Sequence, residues 1–467
     1  RLLIEASVRN MLLKYHAAWP AAEETDLEFV IDNTRLYSNE NRSVNAGNLV
    51  VNAQVDIPDL RDPIFTIKSL STGTLAGFHA FSSNSPIAKT FGDQLDRITV
   101  SGDASIALDL MVPLKKERLQ EFTFTSRIRS NNGKLQISGL QAPISGLIGE
   151  VSITRDDISS VGLGGHFLGG GVSITLSRSD DAQFSVVVDA EGIISADGLV
   201  NELGVPLEGF VGGAAPYEAR ILFPNSKADL PGPLTIEIIS DLEGFAIDLP
   251  QPASKVPQAS LAVSGNIRFL AGGEIIESSG TVENSLTWQL EFNKPEGDWD
   301  LDRGVVNLGG VTPQAAGTRG LHIRGATDEV RFEDWLGLSR GGSRSVGAAV
   351  AERIRSIDLR VDNLYLIGQH LENHRVKVDR SALDWLVQLE GDDIQGSVFV
   401  PYDFNGNRVM VLDMERLRLP GGDASVATKA GTDPRILPPI HLKAAEFAFG
   451  DRNFGAVEAN FARTVNG

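Results

Sequence analysis

The sequence predicts a mainly β chain, an antiparallel sheet of many strands with a few short helices. Three observations predict it. Apolar and polar residues alternate at a spacing of two through most of the chain, the mark of strands with one greasy and one wet face. Turn signals recur roughly every 8 to 15 residues, which favours antiparallel meanders over parallel βαβ units. The 48 glycines and 21 prolines among 467 residues gather mostly at those turns, and helical periodicity is confined to brief stretches.

Taken in order, residues 2–15 carry Leu2, Leu3, Ala6, Met11, Leu12 and Leu13 among charges and are expected to form a short amphipathic helix before Pro20. Residues 27–60 read as short strands divided by Asn-rich turns at 39–41 and 45–48. A helix is expected over 86–95, with Pro86 in its first turn and Ser82, Asn84 and Ser85 offering caps. Strands resume with Ile106 to Val112, Phe122 to Ile128, Val151 with Ile153, and Val172 to Leu176. Residues 197–204 predict one or two helical turns closed by Gly204.

Further strands carry Ile236 with Ile238, then Leu261, Val263, Ile267 and Phe269. The clearest follows, where Leu286, Trp288, Leu290 and Phe292 alternate with Thr287, Gln289 and Glu291. A brief helix is expected at 333–338 and a longer one over 343–355, where Val346, Val350 and Ile354 are spaced by four. Strands return with Ile357 to Val361, Leu383 to Leu389, and Phe447 with Phe449. No linker divides the chain, so residues 1–467 read as one continuous array, with subdivisions at 1–115, 116–230, 231–340 and 341–467.

The net charge is -19, from 61 acidic and 42 basic residues. The basic residues are scattered, which argues against nucleic acid as a partner. The absence of cysteine removes thiol catalysis, Cys-ligated zinc and disulfides, and suits an oxidising compartment. No apolar run approaches the roughly 18 residues that span a bilayer. Because the chain opens on Arg1 rather than Met, it is expected to be an excised segment, with any signal or anchor outside it.

Candidate motifs fail on their spacing. Residues 162–171 are glycine-rich, but no Lys-Ser/Thr follows the last glycine and Phe167 stands where a dinucleotide fingerprint needs glycine, so a tight hairpin is expected. His370 and His374 flank Glu372, yet Leu371 occupies the position where a metalloprotease helix needs Glu, and the surroundings are strand-like. Residues 298–304 resemble a calcium loop with its glycine one place late and Gly309 where Glu belongs; a half-wet strand is expected there, Trp299 and Leu301 opposite the aspartates. The pairs Asp156–Asp157, Asp180–Asp181 and Asp392–Asp393 fall at turns. No catalytic residue, metal or cofactor is expected.

Several segments together resemble the central region of the YhdP family of AsmA-like proteins: residues 81–95, 98–103 with the strand to Leu114, 144–153, 330–336, 396–401 and 433–442. The resemblance covers nearly the whole chain. It implies a Gram-negative envelope protein, anchored in the inner membrane and extending through the periplasm toward the outer membrane. Its implied fold is a repeating β-groove, an elongated, curled antiparallel sheet whose apolar face carries phospholipid acyl chains. Physical reasoning agrees, because helices are too few to cover the apolar faces and a bare trough would aggregate in water. Roughly 35 strands at about 4.8 Å would extend about 170 Å.

The residues expected to line the groove are Ile106, Leu108, Leu110, Val151, Ile153, Val172, Ile174, Ile236, Ile238, Leu261, Val263, Ile267, Phe269, Leu286, Trp288, Leu290, Phe292, Leu383, Trp385 and Val387. The expected partners are phospholipid acyl chains, the two membranes through regions outside this segment, and envelope proteins. The competing reading is a structural or adhesive array of β-sandwiches, in which a second sheet covers the same faces.

Overall fold

The computed structural model describes residues 2–14, 17–88, 92–138, 140–205, 207–294, 299–310, 317–332, 334–335, 353–366, 369–381, 383–402, 408–419 and 438–462. It is mainly β, with 27 strands and two short α-helices among the described residues. The chain divides into two units, residues 1–204 with 214–239, and residues 205–213 with 240–467.

The first unit holds β1 (Leu3–Leu13), β2 (Ala22–Asp32), β3 (Arg35–Asn45), β4 (Asn48–Ile57), β5 (Ile64–Thr74), α1 (Leu75–Ser83), β6 (Ile98–Ser101), β7 (Asp103–Pro113) and β8 (Thr123–Ile137). It continues through β9 (Ile144–Thr154), β10 (Ile158–Phe167), β11 (Gly170–Arg178), β12 (Phe184–Ser195), α2 (Ala196–Leu203), β13 (Val211–Pro224) and β14 (Leu234–Ser240). Its strands pair antiparallel with their neighbours in sequence, except that β5 bonds directly to β7 while short β6 bonds to β8.

The second unit holds β15 (Phe245–Ile247), which pairs with the first residues of β13, then β16 (Val263–Leu270), β17 (Ile275–Val282), β18 (Leu286–Asn293), β19 (Asp300–Leu308), β20 (Gly320–Arg331) and β21 (Ile354–Leu366). It ends with β22 (Gln369–Arg380), β23 (Asp384–Glu390), β24 (Ile394–Pro401), β25 (Met410–Leu419), β26 (Ile440–Phe449) and β27 (Arg452–Phe461). Three neighbouring pairs here are parallel: β19 with β20, β20 with β21, and β25 with β26. Parallel neighbours need a crossover rather than a hairpin, and each of these joins falls at a long connection. Among the described residues the strands of each unit bond to their neighbours within one open sheet, and no second sheet is present to form a sandwich.

Residues 3–13 correct the sequence reading: they form strand β1, not a helix. Asn10 adopts φ 51° and the register with β2 slips between Val8 and Met11. One extra residue moves the apolar set from even to odd positions, and the resulting spacing imitates a helical stripe. The Asn-rich text at 39–41 is likewise no turn but a bulge inside β3, with Glu40 at φ 56°. There Asn41 donates from Nδ2 to the Ala53 carbonyl at 2.8 Å, which satisfies the irregular backbone. The expected turn at 45–48 is present.

The helix expected over 86–95 falls in part outside the described residues, with Ala88 helical and Gly92–Arg97 forming a 3-10 helix, and the separate helix α1 precedes it. Thr74 caps α1 by accepting from Gly77 N at 3.1 Å, and buried Asn48 fixes Thr74 by accepting its backbone N–H at 2.8 Å. Asn84, taken for an N-terminal cap, terminates the helix instead. The helix at 197–204 is present as α2, started by Ser195 and closed by Gly204 at φ 65°. The glycine-rich hairpin is present too, turning at Leu168 and Gly169 between β10 and β11. Most of the helices expected at 333–338 and 343–355 lies outside the described residues; Ile354 and Arg355 begin β21.

Candidate functional site

Register turns the alternation of single strands into continuous faces. In the second unit, Gly265, Gly280, Trp288, Val306, Ile323, Ile357, Val378, Val387, Val398, Leu412, Leu442 and Ala459 stand side by side from β16 to β27. The next row on that face is also apolar, from Val263, Val282 and Leu286 through Leu359, Val376 and Leu389 to Met414, Ala444 and Val457.

Between them, pointing to the other face, runs Ser264, Thr281, Thr287, Asn307, Arg324, Asp358, Lys377, Gln388, Ser397, Asp413, Lys443 and Glu458. Every member is polar. That polar face is laced by ion pairs, including Arg375 with Asp358 at 2.7 Å and Lys377 with Glu390 at 2.7 Å. The Arg375 guanidinium holds the Asp358 carboxyl below its ordinary range, chiefly by hydrogen bonding to it.

Trp288 lies down along the apolar face. A Cβ on Gly280 would meet its indole at 2.3 Å and one on Gly265 at 3.5 Å, and its Nε1 donates to Ser278 Oγ at 3.1 Å. Leu290 similarly covers Gly304, while Ile267 and Phe269 continue the rows through Ser278 and Ile276. Leu286, Trp288, Leu290 and Phe292 are all half-buried. Farther along, Leu389, Met414 and Ala444 are buried and join Val376, Val387, Val398, Leu412 and Leu442 in one cluster. Trp385 packs edge-on against Tyr402 at 5.6 Å.

In the first unit, Ile106 pairs with Ile128 and Ile128 with Val151, while Leu108 and Ile153 both pair with Ser126. Ile174 connects through Ala190 and Ala219 to Ile238, and Leu176 through Val188 and Ile221 to Ile236. Val151, Val172 and Ile174 share one cluster. Over β7 and β8 the face is not bare. Leu75 and Phe78 of α1 pack on Ala104 and Ile106, and Trp19, Phe81 and Ile87 pack with Leu110, Val112 and Phe124. Burying an apolar side chain of this size contributes about 1.5–3 kcal/mol.

Two expected residues fall outside strands. Leu383 lies in the bend before β23 and is 60% exposed, and Leu261 precedes β16. Sequence reasoning missed the members contributed by the parallel strands, such as Val306 and Ile323, because the alternation there is broken by glycines and a long connection.

The polar face has one enclosed stretch. His322 is buried, with Nε2 on Thr318 Oγ1 at 3.0 Å and Nδ1 on Ser356 Oγ at 2.7 Å, and burial holds its pKa below the ordinary value. Asp302, expected on a wet face, is buried and ion-paired with Arg303 and Arg319 at 2.9 and 2.8 Å. His370 and His374 go separate ways: His370 bonds Asn363 Oδ1 at 2.9 Å and His374 the Glu372 carbonyl at 2.8 Å. Among the described residues no group of three or more His, Cys, Asp or Glu is placed to hold a metal ion, and no helix is long and apolar enough to cross a membrane.

A sheet that keeps an apolar face and a charged face apart through strand after strand, with no second sheet over its apolar face among the described residues, has the form of a β-groove scaffold. A family model described as "YhdP protein" matches residues 1–467, and the chain belongs to the YhdP family. No curated protein and no solved structure matches it. Membership suggests an AsmA-like role in lipid transport in the cell envelope.

Proposed function

We propose that the apolar rows form a floor along which phospholipid acyl chains pass between the inner and outer membranes of a Gram-negative envelope, with headgroups kept toward water. In this reading the chain works in the periplasm, and the membranes and any envelope protein partner are met by other parts of the full-length protein. The observation that carries the reading is the unbroken apolar row from β16 to β27 beside an equally unbroken polar row. Each methylene taken from water onto that floor contributes about 0.8 kcal/mol, so a chain of ordinary length is held firmly while sliding between like positions costs little.

The groove-lining set is Ile106 through Val387 as named from the sequence, with Ile106 and Leu110 acting beneath α1, Trp19 and Phe81 rather than at the surface. Lipid extraction and native mass spectrometry of the purified chain should find phospholipid. The double variant Leu286→Asp with Leu290→Asp should lose it and remain a folded β-protein by circular dichroism. A monodisperse, lipid-free wild type would overturn the reading.

A further inference from the structure

Two strands of the first unit end their apolar rows in a guanidinium. On β9 the alternation Val151, Ile153 continues to Arg155, and on β11 the series Val172, Ile174, Leu176 continues to Arg178, which pairs with Val186. Since β9 and β11 are both antiparallel to β10, they run in the same direction and both cations stand at one end of the sheet. A cavity of about 800 Å³ opens there, its lining including Val112, Ile158 and Val186 from the apolar rows.

The guanidiniums are held by neutral partners. Arg155 Nη1 donates to the Gln120 and Phe122 carbonyls at 2.5 and 3.3 Å and lies over the Phe122 ring at 5.3 Å, and Arg178 donates to the Asp156 carbonyl. Among the described residues neither forms an ion pair, although Asp157 and Asp180 line the same cavity, along with Asp156, Asp181 and Lys227. Both guanidiniums therefore remain available to an anion, and the Asp157 and Asp180 carboxylates to a cation. Guanidinium forks suit phosphate oxygens in particular.

We propose that this cavity is a headgroup subsite for a zwitterionic phospholipid. Its phosphodiester lies between Arg155 and Arg178, its ammonium faces Asp157 and Asp180, and its acyl chains rest on the adjoining apolar rows. The inference rests on reading those rows as an acyl-chain floor.

The test loads the purified chain from vesicles equimolar in phosphatidylethanolamine, phosphatidylglycerol and diacylglycerol, then counts the extracted lipids by mass spectrometry. Wild type should enrich phosphatidylethanolamine over diacylglycerol about tenfold, a difference of about 1.4 kcal/mol. R155Q with R178Q should bring that ratio near one with total bound lipid unchanged. D157N with D180N, which leaves both guanidinium-to-carbonyl contacts in place, should erase the preference for phosphatidylethanolamine over phosphatidylglycerol and keep the preference for phospholipid over diacylglycerol. The preferences should survive about 10 mM inorganic phosphate, at which a free-phosphate site would be saturated. Bound lipid without class preference, preference retained in the arginine variant, or preference abolished by phosphate each overturns the subsite and spares the acyl-chain floor. A wild type that binds no lipid at all overturns both.

Discussion

The apolar face of β7 and β8 and that of β17 to β19 arise from the same alternation, yet they have different covers. On β7 and β8, Leu110 is 4% exposed beneath Trp19, Phe81 and Ile87, and α1 seals Ile106. On β18, Trp288, Leu290 and Phe292 remain half-buried, and Trp288 and Leu290 lie over glycines of neighbouring strands, with no overlying element among the described residues. Alternation in sequence specifies that a face exists; what lies on it is decided by segments elsewhere in the chain or by a ligand. The first region is covered by the chain's own segments, and in the proposed reading the second takes its cover from a lipid.

The largest expected effect breaks this contrast directly. Phe124→Ala should destabilise the first unit by about 3–5 kcal/mol in urea unfolding, because a buried ring leaves a cavity. Leu290→Ala should cost only about 1 kcal/mol in lipid-free protein, since part of its surface is already wet. Equal losses would mean that the second face is a closed core as well.

Next, Gly280→Ala places a Cβ 2.3 Å from both the Trp288 indole and the Ser264 carbonyl oxygen. It should cost about 1–3 kcal/mol and expose the indole to acrylamide quenching, whereas an equivalent glycine with free space, Gly171, should tolerate alanine. Ser195→Ala removes the cap that accepts from Gly198 N at 3.0 Å and should cost about 1 kcal/mol, loosening α2 from the β10–β11 turn.

The smallest effect follows pH. Because burial lowers the His322 pKa, the unfolded chain binds more protons as pH falls below about 6.5, and stability should decline between pH 7 and 5. Asp358, whose carboxyl is lowered, contributes stability at neutral pH that is lost at still lower pH, below about 4. Urea midpoints across that range should show two stages, and His322→Asn should flatten only the first.

Much of the fold was legible because the period-2 pattern survives wherever strands are regular. Leu286 to Phe292, Val172 to Leu176 and the hairpin at 168–169 all form as the text indicates. Errors gathered at bulges. Asn10, Glu40 and Asn52 each insert a residue at positive φ, which moves the apolar set to the other parity and makes one long strand read as a helix or as two short strands. The expected count of roughly 35 strands at that spacing therefore becomes 27 among the described residues. Cover was not legible at all: nothing in the local text at 104–112 announces that Trp19 and Phe78 close over it.

Bonding almost entirely between neighbours in sequence has a consequence for how such a chain changes over time. Its energetics approximate a one-dimensional array, in which each hairpin contributes its own stability and a coupling to the hairpins on either side. Removing or duplicating an even number of strands in an antiparallel stretch restores the direction of the chain and returns every side chain to its original face. Strand number is thus a quantity that duplication can adjust without inventing a new topology, and deletion of the β22–β23 hairpin offers a place to measure how much cooperativity the remaining strands retain.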